Sequence, residues 1–471
     1  MNKIIIPAFS ILLAVSIAGC SKWAEDKSNI YQATEQAGKT VSDSVPLAGS
    51  VKGTMLAGKT YTIDSDIVVN PLDTLMIQSG VTLNFKNGSG LVVLGSLFSI
   101  GTKAAPIYMT VPGATKNTTP GLSLTQDSAH IGLWKGIIGG TTCPMMVIKW
   151  THIDFAGNTE GNAVSALPQV NESAGTSFNI LFQNANGDFI LEDSWVWGGT
   201  DDCLRISRGK VHVFRNTFEK CGGSGGDCVN MKGGTVGTVA YNFFIGTAYN
   251  GQKASNKGQG VGSPQTEVVM YNSTFVNAGS QVIPGQRGST IDFEQGASGA
   301  FFNNIAVNCA VGYRVVNNPA ADTTHLTYGY NYQYADSIDV ADQFFTFGPV
   351  CTIPQSTDLP LPSSYLPTSW SYESPSANSY DGTPALQKLD PLFVNFSLPA
   401  NNHGFYPWQN DAIGSYDFHL QPNSPLIGKG STTAIQPLLV VPIDPVYGAT
   451  EVTLPGADLG CYQSNGKGNQ H

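Results

Sequence analysis

Short apolar runs with alternating polar residues fill the chain from about residue 51 to residue 317. Typical examples are Val81–Phe85, Leu91–Gly95 and Phe189–Trp195, and Gly, Pro or Asn interrupts the sequence near each of them. Alternation with a period of two is typical of strands, whereas an amphipathic helix repeats every 3.6 residues. The pattern therefore predicts many short strands joined by tight turns and argues against a helical repeat.

One short sequence motif recurs five times between residues 189 and 317. Asn, or once Asp, holds its centre, and the centres are Asp193, Asn216, Asn242, Asn272 and Asn304. They are 23, 26, 30 and 32 residues apart, which is the spacing of solenoid repeats. We predict that these side chains stack at one bend, where each amide bonds its neighbours in the next coil.

Two of the repeats align over fourteen residues without a gap, residues 229–242 on residues 291–304. The Gly, apolar and Asn positions coincide, as they would in a parallel β-coil whose strands stack about 4.8 Å apart. In these repeats the sequence resembles the right-handed parallel β-helix (pectin-lyase-like) family. That family includes pectate lyases, pectin lyases, polygalacturonases and phage or bacterial surface proteins. The resemblance predicts an all-β fold, a right-handed parallel β-helix solenoid with loop excursions and a C-terminal capping segment.

Residues 1–19 are predicted to be a lipoprotein signal peptide. Met1–Lys3 is basic, residues 4–17 are apolar but too few to span a membrane, and Ile17–Cys20 resembles a bacterial lipobox. The resemblance implies cleavage before Cys20 and lipid on that residue; a plain secretory signal is the alternative. We expect an exported protein, lipid-anchored to the outer membrane on its periplasmic or cell-surface side.

The rest of the chain divides by composition into four segments. Residues 20–50 are predicted to be the lipidated Cys and a flexible tether, 51–349 the β-helix, and 350–400 a Pro/Ser-rich excursion. Residues 401–471 are predicted to be a closing coil and tail, because Phe418–Leu420 and the text after it resemble the last coil of the family. We expect a monomer.

Charge and cysteines limit the possible partners. Charged residues make up 12% of the 471 residues and the net charge is −10, which argues against nucleic acid and leaves the lipid anchor as the only expected membrane contact. Cys203 and Cys228 occupy the same place in successive turns. A column of buried thiols and a disulfide both remain open.

Outward side chains of successive turns should form columns. Aligning residues 202–207, 227–232, 254–258 and 291–294 predicts two of them. One contains Arg205, Asn230, Ser255 and Asp292, and the other contains Ser207, Lys232, Lys257 and Glu294.

These columns have the composition that a lyase for an acidic polysaccharide needs. Such an enzyme neutralises a uronate carboxylate and removes the adjacent proton, and two stacked lysines would lower each other's pKa. The text Ile283–Gly288 also resembles the Pro-x-x-Arg element of pectate lyases. The predicted catalytic residues are Lys232, Lys257, Arg287 and Glu294, and the predicted substrate-binding residues are Arg205, Asn230, Asp292 and Arg314. A solvated polar face without chemistry is the alternative.

The resemblance also bears on metal and on other reactions. The Asp-Gly-x-x-Asp calcium strand of pectate lyases falls on Asp201–Arg205, where Arg replaces the second Asp. No cofactor is certain, and calcium is the candidate, with Asp201, Asp202 and Asp227 as ligands. Residues 199–203 are similar to the Gly-Asp-Asp element of polygalacturonases, whose paired carboxylates hydrolyse glycosides.

The expected function is that of a surface lipoprotein that binds or processes an acidic polysaccharide, by β-elimination if it is an enzyme. A non-catalytic glycan-binding or adhesive protein and a glycoside hydrolase are the alternatives. Trp195, Trp197 and the tyrosines of residues 328–334 are candidates for stacking on sugar rings.

Overall fold

The computed structural model describes residues 39–471 except 87, 120, 159–166, 172–176, 224, 280–289, 310–311, 317–318, 335–389 and 398–411. The regular elements of the described residues are one 3₁₀ turn, Ser128–His130, and a series of strands joined by turns and loops. The first sixteen are β1 (Leu47–Ser50), β2 (Gly53–Met55), β3 (Thr60–Val69), β4 (Thr74–Ile77), β5 (Thr82–Phe85), β6 (Leu91–Val93), β7 (Ser96–Ile100), β8 (Ile107–Thr110), β9 (Ile137–Gly139), β10 (Met145–Lys149), β11 (Thr151–Asp154), β12 (Ile180–Phe182), β13 (Asp188–Glu192), β14 (Trp195–Trp197), β15 (Leu204–Ile206) and β16 (Gly209–Phe214). The others are β17 (Thr217–Glu219), β18 (Val229–Met231), β19 (Thr235–Ala240), β20 (Phe243–Ile245), β21 (Gln252–Ser255), β22 (Glu267–Tyr271), β23 (Thr274–Val276), β24 (Ile291–Glu294), β25 (Ser298–Phe302), β26 (Ile305–Val307), β27 (Tyr313–Val315), β28 (Leu326–Gly329), β29 (Tyr332–Tyr334), β30 (Phe393–Asn395) and β31 (Asp417–Leu420).

Parallel strands build three faces of a coil. The first face is the sheet β2-β4-β7-β10-β13-β16-β19-β22-β25-β28. The second runs from β5 through β8, β11, β14, β17, β20, β23 and β26 to β29, and the third runs from β6 through β9, β12, β15, β18, β21 and β24 to β27. The long strand β3 pairs with both β5 and β6 and so joins the second and third faces. Each strand pairs in parallel with its equivalents in the neighbouring coils, which confirms the prediction of an all-β parallel β-helix.

Inward side chains stack in columns to form the core. Phe218, Phe244 and Phe275 occupy one place in three successive coils, and their rings stack with centroid separations of 5.0 and 4.6 Å. All three are fully buried. Because each strand has only three to six residues in these coils, one or two inward residues per strand are enough to fill the interior.

The predicted Asn stack exists at the bend between the first and second faces. Asn242 Oδ1 accepts hydrogen bonds from the backbone N–H and the Nδ2 of Asn216 at 2.9 and 3.0 Å, and Asn331 Oδ1 accepts the same pair from Asn304 at 3.2 and 2.9 Å. Ser273 donates its N–H to Asn304 Oδ1 at 2.9 Å. We call this column, Ser194, Asn216, Asn242, Ser273, Asn304 and Asn331, the Asn ladder.

Two members of the predicted stack lie next to the Asn ladder and not in it. Asp193 and Asn272 each stand one residue before the Asn ladder, with φ of 47°. The equivalent residues of other coils, Arg215, Tyr241 and Asn303, also have positive φ. Since Asn and Asp tolerate the left-handed conformation better than most residues, this position attracts them as well, and the predicted alignment was wrong by one residue there.

Ordered structure begins before the predicted boundary at residue 51. Thr40 forms a parallel bridge with Thr54, and β1 pairs with β3. Residues 39–50, predicted as part of the tether, thus belong to the first coil. Within the described residues no helix is sufficiently long and apolar to cross a membrane.

The C-terminal residues 412–471 lie along the side of the coils instead of adding a further coil. Their apolar residues pack on Phe243 and Tyr271 at the bend between the first two faces. Further along, Val441 and Ala449 pack against Phe98. Strand β31 pairs antiparallel with β30 and not with a coil. This segment therefore covers the outside of the bend.

Candidate functional site

A column of charged and amide side chains crosses five adjacent strands of the third face. It consists of Arg205, Asn230, Lys253, Asp292 and Arg314, which pair in register from β15 to β27. The residues that flank each of them in its strand face inward and are buried. Alternation in strands of three or four residues thus directs one polar residue per coil outward. We call these five residues the charged column.

The predicted register of one coil is wrong by two residues. Lys253, not Ser255, stands between Asn230 and Asp292, and Ser255 pairs with Glu294. Ala254 is the apolar inward residue of this strand, and it pairs with Met231 on one side. Lys257 consequently lies in an exposed turn and does not stack on Lys232.

A signal in the sequence could have shown this register. Asp202, Asp227 and Asn250 stand three residues before Arg205, Asn230 and Lys253 respectively, so that the pattern Asx-x-x-polar repeats once per coil. The sequence analysis did not identify Lys253 as a member of this column. Its short strand, Gln-Lys-Ala-Ser, has only one small apolar residue, so the pattern of inward residues is weak there.

Opposite charges pair within the charged column and beside it. Lys253 Nζ lies 2.9 Å from Glu294 Oε1 and 3.6 Å from Asp227 Oδ2, and Arg314 lies 3.4 Å from Asp292 Oδ2. All of these groups are at least about nine-tenths buried, and burial raises the pKa of Asp292 to about 6 although Arg314 and Lys253 oppose the shift. The column is therefore a desolvated ionic network rather than a solvated polar face.

The carboxylates at the start of the strands are held by protein donors. Asn230 Nδ2 donates to Asp202 at 3.0 Å and to Asp227 at 2.8 Å. Asn250 Nδ2 donates to the other oxygen of Asp227 at 2.6 Å, and the N–H of Asp227 donates to Asp202 at 2.7 Å. Arg205 also pairs with Asp202. These bonds engage the oxygens of Asp202 and Asp227 that a calcium ion would need. The calcium site on Asp201, Asp202 and Asp227 stays a prediction.

The partly exposed end of the site contains Asp201, Arg205 and Lys232, which we call the Lys232 patch. Lys232 follows β18 and is half-buried. Burial lowers its pKa, and the charges of Arg205 and Lys253 lower it further while Asp202 and Asp227 oppose them. Burial also raises the pKa of Asp201, against the effect of Arg205. The patch thus combines a lysine of lowered pKa with the Arg205 guanidinium, whose charge contributes to that lowering.

The other predicted residues have separate outcomes. Glu294 adjoins the charged column through Lys253, and Asp292 and Arg314 are buried members of it. Arg287 and Cys20 lie outside the described residues. The predicted Cys203 and Cys228 stack is present, and both are free thiols.

Aromatic rings form a strip on the second face. Tyr108, His152 and Trp195 pair in register on β8, β11 and β14, and their rings stack at centroid separations of 4.9 and 5.7 Å. Tyr108 is 40% exposed. Burial lowers the pKa of His152 to about 4, so the ring is neutral at neutral pH. Such a strip can stack on the apolar faces of sugar rings.

The remaining aromatic candidates are core residues or pack against the core. Trp197 is fully buried and packs edge-on against Phe155 at 4.9 Å, and Tyr332 and Tyr334 are buried as well. Tyr328 and Tyr330 are partly buried and pack against the core, so Trp195 is the member of the predicted set that belongs to the aromatic strip.

A second ionic cluster lies on the first face beneath the C-terminal segment. The Glu192 carboxylate lies 2.9 Å from His212 Nε2, 3.5 Å from Lys149 Nζ and 3.7 Å from an Arg215 guanidinium nitrogen. The N–H of Thr450 donates to the same carboxylate at 3.0 Å. This cluster attaches the C-terminal segment to the coils.

Comparison with known proteins gives little. No family model matches the chain, and no solved structure matches it either. Protein bark beetle of Drosophila melanogaster is 49% identical over 49 residues, which is 10% of this chain and 2% of that protein. A match of this extent carries no argument about the fold or function of the whole chain.

Proposed function

We propose that the chain binds an acidic polysaccharide on the outside of the third face and cleaves it by β-elimination at the Lys232 patch. The observation that carries the proposal is the half-buried Lys232, whose pKa is lowered by burial and then by Arg205. A neutral amine can remove a proton from carbon, and a guanidinium can bind the carboxylate that makes this proton acidic.

The residues divide the reaction between them. Arg205 binds the uronate carboxylate and stabilises the negative charge that develops when the C5–H bond breaks. Lys232 Nζ takes that proton, the bond from C4 to its glycosidic oxygen breaks, and a C4–C5 double bond forms. Asp201, whose pKa is raised by burial, supplies a proton to the departing oxygen.

The buried charged column supports the patch from behind. Lys253 raises the positive potential at Lys232, while Asp202 keeps Arg205 in place. Preorganised charges in a poorly hydrated environment act more strongly than the same charges in water.

The two alternatives receive less support. The paired carboxylates for hydrolysis would be Asp201 and Asp202, but Asp202 is buried and already accepts hydrogen bonds from Asn230 and from the N–H of Asp227. A non-catalytic glycan-binding protein needs the exposed aromatic strip but has no use for a lysine of lowered pKa. The exported, lipid-anchored location is also a proposal, because it is based on the sequence of residues 1–20 alone.

Activity against uronic-acid polymers tests the proposal. We expect the full chain to generate an unsaturated product, seen as rising ultraviolet absorbance, from at least one such polymer. Lys232→Ala should reduce kcat by about 10²–10⁴-fold with a much smaller change in affinity. Lys210→Ala, on the outside of the first face, serves as the matched control and should match the parent.

The pH profile gives an independent check. Because the neutral form of Lys232 is the active base and its pKa is lowered, kcat should rise with pH and level off below the range in which an ordinary lysine titrates. Binding of acidic polymer by both parent and Lys232→Ala without any product would contradict the lyase and support a binding protein. Absence of both binding and turnover would contradict the assignment of the third face.

A further inference from the structure

Three cysteines meet inside the coil at the bend between the second and third faces. The Sγ atoms of Cys203, Cys221 and Cys228 all lie within 4.8 Å of one another, and all three side chains are fully buried. Among the described residues this is the only group of three or more Cys, His, Asp or Glu side chains close enough to share one ion.

The coil itself brings the thiols together. Cys203 and Cys228 each precede a strand of the third face, β15 and β18, and stack in adjacent coils. Cys221 follows β17 of the second face and approaches them across the bend. The other described cysteines, Cys143, Cys309 and Cys461, belong to no such group.

The sulfur separations suit a metal ion. Zn–S bonds of about 2.3 Å place the sulfurs of a tetrahedral site about 3.8 Å apart, so that shifts of an ångström or less bring these atoms to bonding distance. Soft thiolate ligands select Zn²⁺ and related thiophilic cations over calcium or magnesium.

A fourth donor points to the same place. Asn179 is fully buried, and its Oδ1 has no hydrogen-bond partner in the described structure. Its Nδ2 donates to the Gly198 carbonyl at 2.8 Å, and the Cys203 thiol donates to this same carbonyl at 3.1 Å. Asn179 and Cys203 are thus neighbours, and the free amide oxygen completes a set of three sulfurs and one oxygen.

Glycine keeps the space between these two donors open. A Cβ at Gly199 would lie 2.7 Å from Cys203 Sγ and 2.8 Å from Asn179 Oδ1. Any side chain at residue 199 would therefore occupy the volume between them, and its φ of 148° is itself unfavourable for other residues.

We propose that Cys203, Cys221 and Cys228, with Asn179 Oδ1, form a structural site for one thiophilic d¹⁰ cation, of which Zn²⁺ is the probe. Binding releases the thiol protons and forms three S–metal bonds, without oxidation or reduction. The site has no exposed atom, so the ion enters while the coils assemble, and its binding energy adds to the stability of the coils between residues 179 and 231. This inference is independent of the proposed lyase activity.

Metal content of the full-length protein tests the site. We expect about one equivalent of zinc after purification or after refolding with Zn²⁺, and, after refolding with Co²⁺, a thiolate-to-cobalt charge-transfer band. Cys221→Ala should lower the bound metal to less than about a tenth of that amount. Cys309→Ala, which removes an isolated buried thiol, should keep the full equivalent.

The parent protein provides a measurement that needs no variant. Its melting temperature after refolding with Zn²⁺ should exceed that after refolding with a chelator. Equal melting temperatures together with absence of metal would overturn the proposal. So would a mass two units lower than that of the reduced chain with the bond mapped to two of these cysteines, because a disulfide would consume the ligands.

Discussion

The side chain of Asn242, a member of the Asn ladder, takes part in three hydrogen bonds. Its Oδ1 accepts two from Asn216, and its Nδ2 donates to the Val213 carbonyl at 2.9 Å. The side chain is fully buried, so Asn242→Leu leaves these groups without partners. We expect the free energy of unfolding to fall by about 1–3 kcal/mol, measured by urea denaturation. An unchanged midpoint would mean that the ladder contributes nothing.

Asn272 should behave differently although the sequence places it in the same repeat. Its Nδ2 donates to the Asp458 carbonyl at 2.7 Å, and its Oδ1 accepts from the N–H of Gly456 at 3.0 Å. We expect Asn272→Gly, which keeps the left-handed conformation accessible, to speed proteolysis of the C-terminal segment. Asn242→Leu is the comparison and should not release that segment selectively. Equal cleavage patterns in the two variants would contradict the distinction.

The first face and the C-terminal segment are joined through Glu192. Hydrogen bonding and charge from His212, with Arg215 and Lys149, lower the pKa of this carboxyl to about 2 although burial opposes the shift. A depressed pKa stabilises the fold when the carboxylate is ionised. The contribution is complete above the ordinary value of 4.5 and disappears as the pH falls through about 2.

Glu192→Gln should therefore destabilise the protein by roughly 3–5 kcal/mol at neutral pH, since it leaves buried cations without their partner. The difference in melting temperature from the parent should shrink between pH 4.5 and 2. Glu267→Gln, at the exposed start of β22 on the same face, is the control and should change stability by less than about 0.5 kcal/mol. A constant difference at all pH values would show that the charge of Glu192 is not the cause.

The strands and the repeat of the coil could be predicted because both depend on the local amino-acid sequence. A period of two and a recurring Asn determine which side chains face inward, and the fourteen-residue alignment placed Asn230 and Asp292 in one column, as the structure does. The predicted register was wrong where the local sequence was ambiguous. Of the two inward neighbours of Lys253, Gln252 and Ala254, just one is apolar, and Asn272 suits a left-handed turn as well as a hydrogen-bonded stack.

Contacts between distant parts of the chain could not be predicted from the repeats. The C-terminal segment reaches Glu192 from residue 450, and nothing in the spacing of the coils encodes that contact. The approach of Cys221 to Cys203 and Cys228 likewise depends on the width of the coil at one bend. Sequence alignment finds residues stacked in one column but not those facing each other across the interior.

At the scale of the whole molecule, we expect the location to depend on Cys20. The described coils begin at residue 39, and we propose that the residues between Cys20 and this point serve as a tether between lipid and β-helix. One acyl chain binds a membrane only weakly, whereas the several chains expected on a bacterial lipoprotein hold it firmly. A tether of this kind would allow the third face to meet a polymer too large to diffuse to a buried site.

We expect Cys20→Ala to move the protein from the membrane fraction to the soluble or unprocessed fraction of the producing cells, measured by fractionation and by the mass of the N-terminal peptide. Cys143→Ala removes a buried cysteine of the coil and should leave the distribution as in the parent. Because Cys20 is not one of the residues of the Lys232 patch, soluble Cys20→Ala protein should retain the parent's activity on dissolved polymer. Membrane association that survives in Cys20→Ala would mean that another part of the chain holds the protein there.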